Sequence, residues 1–97
     1  MNMKEVVGLP SEKEYIFLGY ENGNFRYISN KTLMMYKIHG IHDLSKMTEH
    51  STYINKSELK FIPKEGSKIR VTYDKPFSVI KIEAFVDGKW TEIWKKR

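Results

Sequence analysis

Two stretches of the chain alternate apolar and polar residues about a two-residue turn. In the first, Tyr15–Glu21 and Asn24–Ser29 flank Asn22-Gly23. In the second, Val79–Val86 and Lys89–Trp94 flank Asp87-Gly88. Asn-Gly and Asp-Gly are preferred at type I′ hairpin turns, where both central residues need positive φ. Such turns set register. Closing the first places Tyr20 opposite Phe25, Gly19 opposite Arg26 and Leu18 opposite Tyr27. Ile16, Leu18, Tyr20, Phe25 and Tyr27 then share the expected core face, and Tyr15, Phe17, Gly19, Arg26 and Ile28 the other. A one-residue slip would exchange the two sets. Closing the second places Phe85 opposite Trp90, Glu83 opposite Glu92 and Lys81 opposite Trp94. Its other face pairs Val86 with Lys89, Ala84 with Thr91, Ile82 with Ile93 and Ile80 with Lys95. That face is aliphatic and reads as core.

The remaining pattern is less regular. Val6-Val7 suggests a short strand ended by Gly8-Leu9-Pro10, and Ser11 with Glu14 fits a capping box over one helical turn. Over Lys31–His39 the apolar positions Leu33, Met34, Tyr36 and Ile38 fit either a strand or a helix. Strand is preferred because the neighbours are strands. For a helix, Ser29 or Asn30 would be the cap and Gly40 the stop. Asp43 can cap a brief helix or loop, and Thr52–Ile62 reads as extended, with Leu59 and Phe61 facing one way. Lys68–Asp74 alternates, with Ile69, Val71 and Tyr73 inward and Lys68, Arg70 and Thr72 outward. Asp74-Lys75-Pro76 forms the next turn. The expectation is a single domain over residues 1–97. It is mainly β: a small antiparallel β-sandwich or partly open barrel of six to eight short strands, with one short helix around residues 31–50 as the variant.

Composition narrows the function classes. The chain has no cysteine, so disulfides and thiolate metal sites are out and an intracellular, cytoplasmic setting is favoured. Nothing resembles a leader or a membrane span. Residues 1–50 carry six Lys/Arg and six Asp/Glu, while residues 51–97 carry eleven and six, so the +5 net charge lies in the second half. A basic half suits an anionic partner. Lys outnumbers Arg fourteen to three, which favours diffuse attraction over base reading. The abundance of Lys, Ile, Asn and Tyr fits an AT-rich coding sequence, as in a phage or mobile element.

The candidate chemistry is that of binding. Phe85, Trp90 and Trp94 are expected on one face with Lys81, Glu83 and Glu92, and Lys81 is expected to neutralise the two glutamates. Aromatics mixed with charge suit interface anchors. Lys56, Lys60, Lys68 and Arg70 would form a cationic stripe if their strands pair. His39, His42 and His50 match no zinc spacing, and no cofactor is called for. No nucleophile elbow or glycine-rich phosphate loop is present, so no enzymatic activity is expected. Asp87-Gly-Lys-Trp90 resembles the hairpin of carbohydrate-binding β-sandwiches, a resemblance that covers this hairpin alone and carries over no functional residue. The leading expectation is a non-enzymatic accessory or inhibitor protein. It would dock an acidic patch on a protein partner through Phe85, Trp90, Trp94, Lys81, Lys68 and Arg70. A nucleic-acid-binding OB-like or SH3-like barrel is the alternative, and a sugar-binding sandwich the second alternative.

Overall fold

A computed structural model describes residues 11–97, and the expected Val6-Val7 strand lies outside them. The strands are β1 (Ser11–Glu21), β2 (Asn24–Ile28), β3 (His50–Tyr53), β4 (Lys68–Lys75), β5 (Ser78–Val86) and β6 (Lys89–Lys95). All pair antiparallel in one sheet of order β3-β2-β1-β4-β5-β6. The chain is therefore mainly β, with its strands in a single sheet that is not closed. Both hairpin turns form as the sequence predicts. Asn22 and Gly23 have φ of 51° and 86°, and Asp87 and Gly88 have 48° and 82°. Ser11 and Glu14 lie within β1, so no capping box forms there.

Bulges revise the expected faces. In the first hairpin Tyr20 faces Phe25 and Gly19 faces Arg26, as predicted, but Phe17 and not Leu18 faces Tyr27. Leu18 is the extra residue of a bulge, and everything before it changes side. The inner face thus carries Tyr15, Phe17, Phe25 and Tyr27, joined by Ile69, Val71, Ile82, Ala84 and Ile93 in one buried cluster. Leu18 turns outward, where it meets Ile28, Leu33 and Met47 in a second cluster. A bulge in β6 acts similarly. Ile82 faces Trp94 and Lys81 faces Lys95, leaving Ile93 as the extra residue, so the predicted pairs Ile82–Ile93, Lys81–Trp94 and Ile80–Lys95 do not form. Between β4 and β5, Thr72 faces Lys81 and Tyr73 faces Val79, with Ile80 skipped.

Residues 30–38 fold as a helix, α1 (Asn30–Ile38), against the strand preference. Ser29 is its cap, its Oγ accepting from the Thr32 N–H at 3.2 Å. The Glu49 carboxylate accepts from the Ser29 N–H at 2.7 Å and the Thr32 hydroxyl at 2.6 Å, which ties the helix start to the residue before β3. Leu33 is the one buried α1 side chain, and it seats the helix on the outer face of β1 and β2. Arg26 secures the following loop by donating to the Met47 carbonyl.

Residues 54–62 are not the extended strand expected. They contain a 3-10 turn at Lys56–Glu58 and lie across the inner face between the two ends of the sheet. At one end the Ile54 N–H donates to Gly23 O at 2.9 Å and the Tyr20 hydroxyl to Ile54 O at 2.5 Å. At the other the Lys60 N–H donates to Ile93 O of edge strand β6 at 2.9 Å. Ile54 enters the inner cluster and Leu59 packs against it. Among the described residues it is this crossing segment, and not a second sheet, that covers the apolar inner face.

Candidate functional site

Strands β4, β5 and β6 carry five of the six expected binding residues, all but Trp94, on their outer face. Phe85 and Trp90 stand directly opposite each other, their rings 5.1 Å apart and tilted by 59°. Register puts Arg70 of β4 beside Glu83 of β5. The Arg70 guanidinium donates from Nε to Glu83 Oε1 at 2.8 Å and from Nη2 to Oε2 at 3.1 Å. It also lies 4.4 Å from the centroid of the Trp90 ring, in cation–π range. Glu12 of β1 approaches Arg70 Nε at 3.8 Å. The Lys68 ammonium stands 5.9 Å from the Phe85 ring centroid.

A planar guanidinium fork matches a carboxylate bidentately, and such pairs are among the strongest polar contacts at a surface. The Arg70 hydrogen bonds hold the Glu83 carboxyl below its usual range against the opposing effect of burial, with further attraction from Arg70 and Lys81. Glu83 does face Glu92, as expected. The main neutralising group, however, is Arg70, with Lys81 adding a weaker attraction. Arg70 is the direct cross-strand neighbour with the right fork, whereas Lys81 sits two residues along β5 and faces Lys95.

Trp94 does not join this face. The β6 bulge turns it towards the inner cluster, against which it packs, and its indole N–H donates to Glu58 Oε1 at 3.1 Å. The expected aromatic stripe is therefore a pair, Phe85 and Trp90. Trp90 and Trp94 thus lie on opposite faces of the sheet. The expected cationic stripe is not assembled either. Lys56 lies in the 3-10 turn and Lys60 beside β6, away from Lys68 and Arg70 on β4. What remains is a platform of Phe85, Trp90 and Arg70, flanked by Lys68 and Lys81. Phe85 is 41% exposed, while Trp90 is half-buried over the guanidinium.

The histidines are dispersed. His39 is the C-cap of α1, His42 lies in the loop after it, and His50 starts β3. Among the described residues no three His, Asp or Glu side chains are placed to hold a metal ion, and no helix is long and apolar enough to cross a membrane. Sequence reasoning passed over the Tyr15, Tyr27 and Tyr73 hydroxyls and the exposed Phe77. The first depend on strand order, which brings β2, β1 and β4 together. The second carried a readable sign, an aromatic directly after the proline of a turn. Comparison with known protein families, curated proteins and solved structures finds no match.

Proposed function

We propose that this protein is a non-enzymatic binding module of accessory or inhibitor type, which docks a protein partner through the outer face of β4, β5 and β6. The observation that carries the reading is the Phe85–Trp90–Arg70 stack. An exposed aromatic is held against a second, and the second rests on a guanidinium fixed by Glu83. Aromatics and arginine dominate binding hot spots, and side chains already locked in place lose little entropy on docking. Arg70 serves as the support of the platform because Glu83 engages its charge. Attraction to an acidic patch falls to Lys68, Lys81 and Lys95, the last directly opposite Lys81. A cytoplasmic setting and a phage or mobile-element origin rest on composition: no cysteine and many Lys, Ile, Asn and Tyr.

The test compares wild type with Phe85→Ala and Lys68→Glu as baits for the same captured partner, with circular dichroism as the fold check. Phe85→Ala is expected to weaken binding by more than about tenfold through faster dissociation, and Lys68→Glu to slow association at low salt. Folded variants that hold the partner as tightly as wild type sink the proposal.

A further inference from the structure

A cavity of about 350 Å³ opens on the inner face, where β1 begins and β4 ends. Tyr15, Tyr27 and Tyr73 line it together with His50 of β3. The Tyr73 hydroxyl lies 3.2 Å from that of Tyr15 and 2.9 Å from that of Tyr27. Three hydroxyls hold three protons, and these two contacts use two of them. One O–H is left to donate outside the cluster. Burial is the main cause that pushes all three phenols above their ordinary pKa, so they keep their protons at neutral pH. His50 stacks on Tyr27 with centroids 5.3 Å apart and planes at 22°, and meets Tyr15 edge-on at 5.3 Å. The cavity wall is therefore aromatic with one spare donor. The nearby carboxylate, Glu49, accepts from Ser29 and Thr32 and lies 3.5 Å from His50 Nε2.

The rim adds charge and a third kind of signal. Lys13 of β1 and Lys75 of β4 both line the opening. Beside them is the Pro76-Phe77 turn, closed by the pair Lys75 and Ser78. Phe77 is 93% exposed and has a φ of 64°. After a proline, that turn position favours glycine. A large apolar side chain held in the left-handed region and out in solvent contributes nothing to the core. Strained residues of this kind mark ligand clamps and similar sites.

We propose that this cavity binds a small ring-bearing anion, with the planar ring against Phe77 and the Tyr27–His50 wall and its phosphate or carboxylate at Lys13 and Lys75. The volume lies at the small end of known ligand pockets and suits a ligand of about mononucleotide size. Stacking on aromatics and charge at lysines are separable contributions, and both are needed for useful affinity in so open a site. This site is distinct from the outer docking face.

The test is a titration of ¹⁵N-labelled protein with 5′-AMP and, separately, benzoate, which distinguishes a phosphate from a carboxylate. Adenosine and inorganic phosphate serve as half-ligand controls. Saturable shifts are expected at the Lys13, His50 and Phe77 amides with at least one ring-bearing anion, and binding about tenfold weaker or worse for both controls. Phe77→Gly and the double change Lys13→Gln/Lys75→Gln should each weaken binding about tenfold while keeping the spectrum of a folded protein. The proposal is overturned if neither anion shifts these amides at millimolar concentration. It is also overturned if adenosine or phosphate alone binds as well, or if the lysine variant binds like wild type.

Discussion

Phe77 and Arg70 illustrate what a single residue gains from its neighbours. The φ of Phe77 is one that L-residues adopt at a cost, and its ring buries nothing that would compensate. Phe77→Gly is therefore expected to stabilise the fold by roughly 0.5–1 kcal/mol, the relief of left-handed strain less the greater chain entropy of glycine. Urea denaturation reads this as a higher midpoint at unchanged slope. A lower midpoint would mean that Phe77 shields apolar surface. The residue was legible in part: Pro76 announces the turn, and an aromatic where glycine belongs is the anomaly. Arg70 was legible as an outward-facing charge of the docking face, but not as the partner of Glu83. Its pairing with Glu83 depends on β4 lying beside β5 in one particular register, which alternation within β4 does not encode.

At the scale of elements, the turns were readable and the bulges were not. Asn22-Gly23 and Asp87-Gly88 fix the first pairs after each turn. Beyond Leu18 and Ile93 the register shifts by one, and a bulged strand looks in sequence like an unbulged one of opposite phase. For that reason alternation alone puts Trp94 on the wrong face. Helix α1 was obscured for a different reason. Only Leu33 is buried, while Met34, Met35 and Ile38 are exposed, so no apolar stripe of helical period marks it. Capping fixes it instead, and Glu49 reinforces the cap from a distance in sequence. Burial raises the Glu49 pKa, but the hydrogen bonds from Ser29 and Thr32 outweigh it and the net shift is downward. A carboxylate with a depressed folded-state pKa stabilises above its unfolded pKa and loses that contribution as pH falls through the folded value. Glu49→Gln should cost about 1 kcal/mol at neutral pH. The gap to wild type should narrow as the pH drops below the ordinary glutamate range, which denaturation at a series of pH values will show. A gap that is constant with pH would mean that the charge of Glu49 is not what holds α1.

At the scale of the whole molecule, the sheet joins two locally connected units, the β1-β2-α1-β3 half and the β4-β5-β6 meander. The central seam between β1 and β4 runs between distant parts of the chain, with Tyr15 and Tyr73 separated by 58 positions. The crossing segment then closes the inner face through Ile54 and Lys60 and is held by the bond from Trp94 to Glu58. This connectivity has a kinetic consequence. Each hairpin can zip up on its own in microseconds, but the seam must first meet the entropy of closing a long loop. Folding is therefore expected to be limited by an encounter between two half-formed sheets. Val71→Ala, at the seam, should slow folding, whereas Glu58→Ala, which removes the acceptor for Trp94 and loosens only the closing segment, should leave folding nearly unchanged and speed unfolding. Stopped-flow chevrons separate the two, and a folding arm unmoved by Val71→Ala would place the barrier elsewhere. The tyrosine cluster straddles this seam. The cavity it lines therefore comes into being only at the last encounter, and a ligand held there would act on the native chain as a brake on unfolding.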